Sequence, residues 1–173
     1  EMPAFAFLGI VSGVAAIIFM RTIGLAGKVS AMLPVPNWTK PAIAGFILGS
    51  AAMYYPQILG VGYAATETAM LLGFSLWMLI GIGVLKILAT ALCLGFGFGG
   101  GVFSPALVIG AMVGGAYGVI AADIFPELAS ATSVYALVGM GAVAAAVLGA
   151  PISPTLIVFE MSSNYALTLA VMI

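Results

Sequence analysis

Long apolar stretches without charge, divided by short polar or glycine–proline breaks, set the pattern of this chain. Residues 87–122 and 128–159 carry no charged side chain. The alternating segments of about ten residues that mark a membrane barrel are absent. A helix needs about 20 apolar residues to cross the roughly 30 Å hydrocarbon core of a bilayer. The pattern predicts helical spans at about 3–23, 42–55, 75–94, 102–122, 132–148, 153–161 and 165–173. They are unequal: 42–55 extends about 20 Å at 1.5 Å per residue, too little to cross. Broken helices whose ends meet inside a bilayer build midplane ion sites in many transporters. Irregular backbone at that depth is tolerated where it is buried in protein or lines a cavity. The break at 95–101 is the first candidate for such a place, and the break at 150–154 the second.

Connections follow from the same pattern. Arg21, Lys28 and Lys40 lie in or beside a connector at 24–41, with Pro34, Pro36 and Pro41 breaking helix around it. The positive-inside rule makes loop 24–41 cytoplasmic. Residues 60–73, with Gly62, Thr66, Glu67 and Thr68, read as a loop with a short helix, and 123–130 as a polar turn around Pro126. Gly9 and Gly13 form one small-residue stripe and Gly110, Gly114 and Gly118 another, each suited to close helix packing.

Composition sharpens the picture to an all-α polytopic membrane protein. The chain has 173 residues, 64% hydrophobic and 5% charged, with a mean hydropathy of +1.32. A soluble domain carries about 25% charged residues. The absence of histidine removes the commonest general base and metal ligand. The single cysteine, Cys93, lies in an apolar run, supports no disulfide framework or metal cluster, and reads as a small buried hydrophobe. No signal peptide is evident. Both ends of the chain lie in apolar sequence, which predicts a fragment of a longer membrane protein.

Gly99-Gly100-Gly101-Val102-Phe103-Ser104-Pro105 is the stretch that suggests chemistry. The first turn of a helix leaves four N–H groups without intrahelical partners, and the helix dipole adds positive potential there. Glycines let a ligand approach the backbone. Together they suit an anion without using a charged side chain; an ordinary helix start after a glycine turn is the plain alternative. A hydrolase reading of Ser104 lacks a base, and no spacing supports pairing it with Lys86. Lys86 interrupts a full-length span, where a cation costs ~2.5–3.5 kcal/mol on insertion scales. It either lends positive charge to an anion pathway or is a snorkelling or paired lysine near a helix end, and the sequence leans to the second. Glu67 reads as solvated in a polar loop, and Glu160 as a helix-end residue near the interface or at a subunit contact.

Gly101-Val102-Phe103-Ser104-Pro105 resembles the Gly-x-Phe-x-Pro signature of the CLC family of voltage-gated chloride channels and proton–chloride antiporters. The continuation Ala106–Gly118 is similar to that family too. So are Gly139-Met140-Gly141-Ala142, Ala150-Pro151-Ile152-Ser153, and Phe159-Glu160-Met161 with Asn164-Tyr165 after it, in order and spacing over roughly 76–165. The resemblance implies a CLC-type inverted-repeat fold with broken and tilted helices, of which residues 1–173 hold the second repeat. It also implies a homodimer in the cell (inner) membrane, with one pore per subunit and chloride as the transported ligand. The backbone N–H groups of Val102 and Phe103 would bind the central chloride. Gly99, Gly100, Gly101, Ser104 and Pro105 would complete the pore loop, with Phe103 also a pore-wall side chain. Three family parts have no counterpart here: the serine-bearing loop of the first repeat, the loop with the gating glutamate, and the tyrosine after the final helix. Two departures bear on ion preference: Phe96 and Phe98 stand where small or polar residues are usual, and Ser104 where alanine is common.

Chloride transport without enzymatic activity, cofactor, metal or nucleic-acid partner is therefore expected, with the lipid bilayer and the missing first repeat as partners. The alternatives are a structural half-module, inactive without its first repeat, and an unrelated broken-helix secondary transporter.

Overall fold

The computed structural model describes residues 2–59, 62, 66–67, 75–124, 131–162 and 165–172. The described residues fold as α1 (Met2–Met32), α2 (Lys40–Tyr54), a 3₁₀ turn (Pro56–Ile58), α3 (Leu76–Gly95), α4 (Phe103–Ile124), α5 (Thr132–Leu148), α6 (Ile152–Ser162) and α7 (Tyr165–Met172). The predicted loop at 60–73 lies outside the described residues apart from Gly62, Thr66 and Glu67. So do residues 125–130 of the predicted turn and Ser163-Asn164. Among the described residues, three helices are long and apolar enough to cross a membrane: Pro3–Met32, Leu76–Gly95 and Phe103–Ile124.

The closest packing joins α4 to α5. A methyl group added at Gly110 would fall onto the Gly139 carbonyl oxygen, and one at Gly114 onto that of Tyr135. One at Gly118 would lie 3.1 Å from the Cα of Thr132. Contact positions fall along α5 as they rise along α4, so the two helices run antiparallel. Glycine is needed here because backbone meets backbone with no room for a Cβ. Gly139 returns the contact against Gly110 and Gly114. The pairing has a consequence for function: the start of α4 lies beside the end of α5. There Ala106 and Ile109 pack with Val143 and Ala144, and with Ala15 and Phe19 of α1, while Val102, Phe103 and Val147 border the cluster. At the other end, Phe5 and Leu8 of α1 pack on Tyr135 and Val138 of α5, Val158 of α6 and Val171 of α7. The rings of Phe5 and Tyr135 lie 5.5 Å apart, and Tyr117 meets Tyr135 edge-on. On the far side of α4, Leu79 and Ile82 of α3 meet Val108, Met112 and Ala116.

Two expectations are corrected. Loop 24–41 is half helix, because α1 continues to Met32. Nothing between Arg21 and Ala31 stops a helix as proline does, so the turn waits for Pro34 and Pro36. Pro41 starts α2 instead of breaking it, since the first turn of a helix has no use for the missing N–H. The connection is thus Leu33–Thr39, which carries no charge; Arg21 and Lys28 sit exposed on α1. The Gly9/Gly13 stripe meets no helix among the described residues: a Cβ at either glycine would find nothing within 4 Å. A close helix crossing occurs instead at Gly95, where a Cβ would sit 2.6 Å from that of Ala26 and 2.8 Å from the Gly27 nitrogen. On the buried side of α1, Ser12 Oγ is enclosed without a hydrogen-bond partner.

Candidate functional site

The break between α3 and α4 is built by two local devices. At the end of α3, Gly97 takes a left-handed backbone, φ +91°. Its N–H donates to the Leu94 carbonyl at 3.3 Å, while the Phe98 N–H donates to the Cys93 carbonyl at 3.0 Å. This nested pair of bonds closes a helix on a glycine and satisfies two of its last carbonyls. At the start of α4, the Ala106 N–H donates to the Val102 carbonyl at 3.0 Å. Val102 is therefore the cap and Phe103 the first helical residue. The Phe103 N–H precedes the first intrahelical bond, and Pro105 has no N–H to offer. The chain thus turns from a helix end closed on a glycine to a helix start whose leading amides precede the first intrahelical bond.

Gly99, Gly100 and Gly101 connect these devices and are exposed, whereas Val102, Phe103, Ser104 and Pro105 are half-buried. The glycines and Pro105 line a cavity of about 270 Å³. Leu48 of α2, Ile58 and Leu59 after it, and Lys86, Thr90, Cys93 and Leu94 of α3 complete most of its wall. The structure brings all these residues together from four chain segments. Val102, Phe103 and Ser104 do not line it: Val102 and Phe103 pack on the cluster between α1, α4 and α5, and Ser104 is half-buried.

Lys86 is partnered, as the reading the sequence leaned to allows, but it is not near a helix end. It lies mid-way along α3, is 3% exposed, and its Nζ donates to the Ile58 carbonyl at 3.1 Å. A snorkelling lysine would sit near a helix end with its head group in water. Cys93 likewise is half-buried and on the cavity wall, not packed away as a core residue. A signal for both was present in the sequence. Lys86, Thr90 and Cys93 fall at i, i+4 and i+7, so one face of an otherwise apolar helix is polar. The remaining candidates stand apart. Glu67 is exposed, and Glu160 is exposed near the end of α6. Among the described residues no group of histidine, cysteine, aspartate or glutamate is placed to hold a metal ion.

The second break, between α5 and α6, uses related devices over a shorter distance. Gly149 closes α5 in the left-handed region, φ +62°, its N–H donating to the Ala145 carbonyl at 2.9 Å. The Thr155 N–H then donates to the Pro151 carbonyl at 3.3 Å as α6 begins.

Comparison with known proteins places this architecture. The family described as "Voltage gated chloride channel" matches residues 1–173. The chain is 32% identical to the chloride channel protein CLC-f of Arabidopsis thaliana, over 99% of this chain and 24% of that protein. It is 34% identical to the H(+)/Cl(-) exchange transporter ClcA of Vibrio parahaemolyticus, over 98% of this chain and 37% of that one. The crystal structure of a slow cyanobacterial Cl-/H+ antiporter superposes with a TM-score of 0.82 at 30% identity, covering 99% of this chain and 40% of the antiporter. The chain therefore spans between about a quarter and two fifths of the length of these relatives. Its all-helical architecture, its glycine break at the head of α4 and the match along its whole length agree: the chain belongs to the voltage-gated chloride channel family.

Proposed function

We propose that this chain forms part of a chloride pathway across a membrane, with the anion held by the backbone N–H groups of Val102 and Phe103. The observation that carries the reading is the start of α4. The first intrahelical bond is the one from Ala106 to Val102, so the amides ahead of it are directed to whatever lies before the helix. The α4 dipole adds positive potential at the same place. Gly99, Gly100 and Gly101 let an ion approach without meeting a side chain, and Ser104 and Pro105 fix the turn that aims the amides. Chloride sheds water on entering and is held by dipoles instead of a formal charge, weakly enough to leave again. The relatives named as a chloride channel and as chloride–proton exchangers support chloride as the ion.

The rest of the reading follows the family. Other parts of a full-length protein supply the walls of the pathway that this chain does not carry, and two copies assemble as a homodimer. The exposed apolar side chains of α1 and α2, among them Phe7, Ile10, Ile17, Phe46 and Met53, face lipid or those other parts. Lys28 and Lys40 flank the Leu33–Thr39 connection and set it on the cytoplasmic side of the cell membrane. The pathway uses no cofactor or metal.

The test is a paired substitution in the full-length protein. Phe103 is the first helical residue, where proline is well tolerated. Phe103→Pro therefore removes one N–H while keeping the helix, and Phe103→Ala removes the ring while keeping the N–H. A hydrogen bond to a charged group contributes about 1.5–3 kcal/mol, so Phe103→Pro weakens calorimetric chloride affinity by about tenfold or more. Phe103→Ala retains more affinity than Phe103→Pro. Equal affinity in the two variants, with both folded, would remove the backbone from the account.

A further inference from the structure

We propose that Phe98 is a positioning residue for the anion site: its ring, seated over Gly45 of α2, fixes the upstream end of the three-glycine link and so keeps the Val102 N–H turned toward the ion. The proposal rests on the chloride-pathway reading above and adds to it a brace from α2, a helix that carries none of the proposed donors.

Three observations carry it. The first is a fitted pair. The tip of the Phe98 ring, Cζ, lies 3.6 Å from where a Cβ on Gly45 would stand. Apart from the neighbouring backbone of α2, it is the one atom among the described residues within 4 Å of that point. Glycine at 45 leaves the ring its seat, and a side chain there would contest it. The two phenylalanines of this run diverge: Phe96 is 7% exposed and belongs to the core, whereas Phe98 is 39% exposed and turns out to α2. Second, Phe98 is tied to α3 as well. Its N–H donates to the Cys93 carbonyl at 3.0 Å, in the turn that Gly97 makes at φ +91°. Ring and backbone bond together fix the residue from which the glycine link starts. Third, among the described residues side-chain packing reaches that link through its ends. A Cβ at Gly99 or Gly101 would meet nothing within 4 Å, and one at Gly100 would meet Leu94 Cδ2 at 3.7 Å. At the downstream end Val102 and Phe103 pack on the cluster between α1, α4 and α5. At the upstream end stands Phe98.

The two ends act on different amides. The Phe103 N–H lies between two residues that both pack on that cluster. The Val102 N–H lies in the peptide unit that begins at Gly101, and a peptide unit turns as one plane. Glycine accepts a wide range of backbone angles, so an unbraced link lets that plane rotate and present the Gly101 carbonyl oxygen in place of the N–H. The carbonyl dipole repels the anion that the N–H attracts. A ring that served only to cover α2 would add stability and leave that plane alone.

The experiment uses the full-length protein in detergent, with chloride binding followed by calorimetry and folding by thermal unfolding. Phe98→Ala removes the ring, and the freed link must be ordered again when the ion binds. Fixing about one backbone residue anew gives about fivefold or more weaker chloride affinity. Phe98→Met keeps a side chain of similar reach and stays within about twofold of the parent. Gly45→Phe contests the seat and weakens binding as Phe98→Ala does. Combined with Phe98→Ala, it refills the gap from the α2 side and recovers most of the loss, a coupling that a double-mutant cycle reads directly. Where Gly45→Phe does not fold, Phe98→Ala against Phe98→Met decides. Parental affinity in folded Phe98→Ala overturns the proposal even if the unfolding temperature falls, because a merely structural ring behaves that way. So does a folded double variant that binds no better than Phe98→Ala alone. Phe103→Pro separates the two levels. If it weakens chloride binding while Phe98→Ala does not, the pathway reading stands and the role of Phe98 falls. If Phe103→Pro is without effect, the pathway reading falls and the role of Phe98 falls with it.

Discussion

The two breaks in this chain start from the same parts and finish differently. Each ends a helix on a left-handed glycine, Gly97 or Gly149, and each opens the next helix with proline in or beside its first turn, Pro105 or Pro151. Because α4 and α5 run antiparallel along their glycine seam, both breaks lie at one end of the pair. Their surroundings separate them. The first is joined by three glycines and borders a cavity that holds a buried lysine. The second closes within three residues, Gly149–Pro151, all exposed. Helix geometry supplies outward-facing amides at both places. An ion site also needs room for the ion, and a cavity borders the first break.

The seam that sets the two breaks side by side offers the largest effect. Gly114→Leu drives a side chain into the Tyr135 backbone, which cannot yield as a flexible side chain would. Overpacking costs about 1–3 kcal/mol even where side chains can shift, and here the cost lies above that range. The expected outcome is loss of monodisperse protein in detergent chromatography, with both breaks disturbed together. Parental thermal unfolding would show that the seam is not what places them.

Substituting the two left-handed glycines sharpens the contrast. A Cβ at Gly97 or Gly149 meets nothing within 4 Å, so each replacement is penalised through the backbone alone, by about 1–2 kcal/mol. Gly97→Ala and Gly149→Ala should therefore lower the unfolding temperature by similar amounts. Chloride affinity should fall with Gly97→Ala, which loosens the turn feeding the α4 amides, and hold with Gly149→Ala. Equal loss of affinity would place both breaks on the pathway.

The smallest effect lies away from both breaks and calibrates them. Ser12 Oγ is buried without a partner, a state that costs about 1–3 kcal/mol for a polar group. Ser12→Ala should leave the unfolding temperature unchanged or raise it slightly, with chloride affinity as in the parent. A clear loss of stability would mean that the hydroxyl is satisfied after all.

What could be read from the sequence was what is local. The glycine stripe at Gly110, Gly114 and Gly118 announces close packing, because helical spacing aligns it on one face. The glycine and proline positions around 97–105 announce a turn and a helix start, because those residues restrict their own backbone. Partners distant in sequence left no such mark. Gly9 and Gly13 carry the same spacing as the stripe on α4 and meet nothing among the described residues. Gly95, unremarkable in sequence, receives the Ala26-Gly27 backbone. Lys86 finds its acceptor 28 residues away, and no rule of local spacing connects it to Ile58. For the site, the loop was legible and the cavity was not, since its wall comes from α2, the segment after it, α3 and the head of α4.

The most direct test places the same change at both breaks. Phe103 and Ile152 each open a helix, so Phe103→Pro and Ile152→Pro each remove one leading N–H from a position that accepts proline. Measured by calorimetry in the full-length protein, chloride affinity should fall by about tenfold or more with Phe103→Pro and stay at the parental value with Ile152→Pro. Unchanged affinity in folded Phe103→Pro, or an equal loss in both variants, would contradict the claim that the break before α4 is where the anion is held.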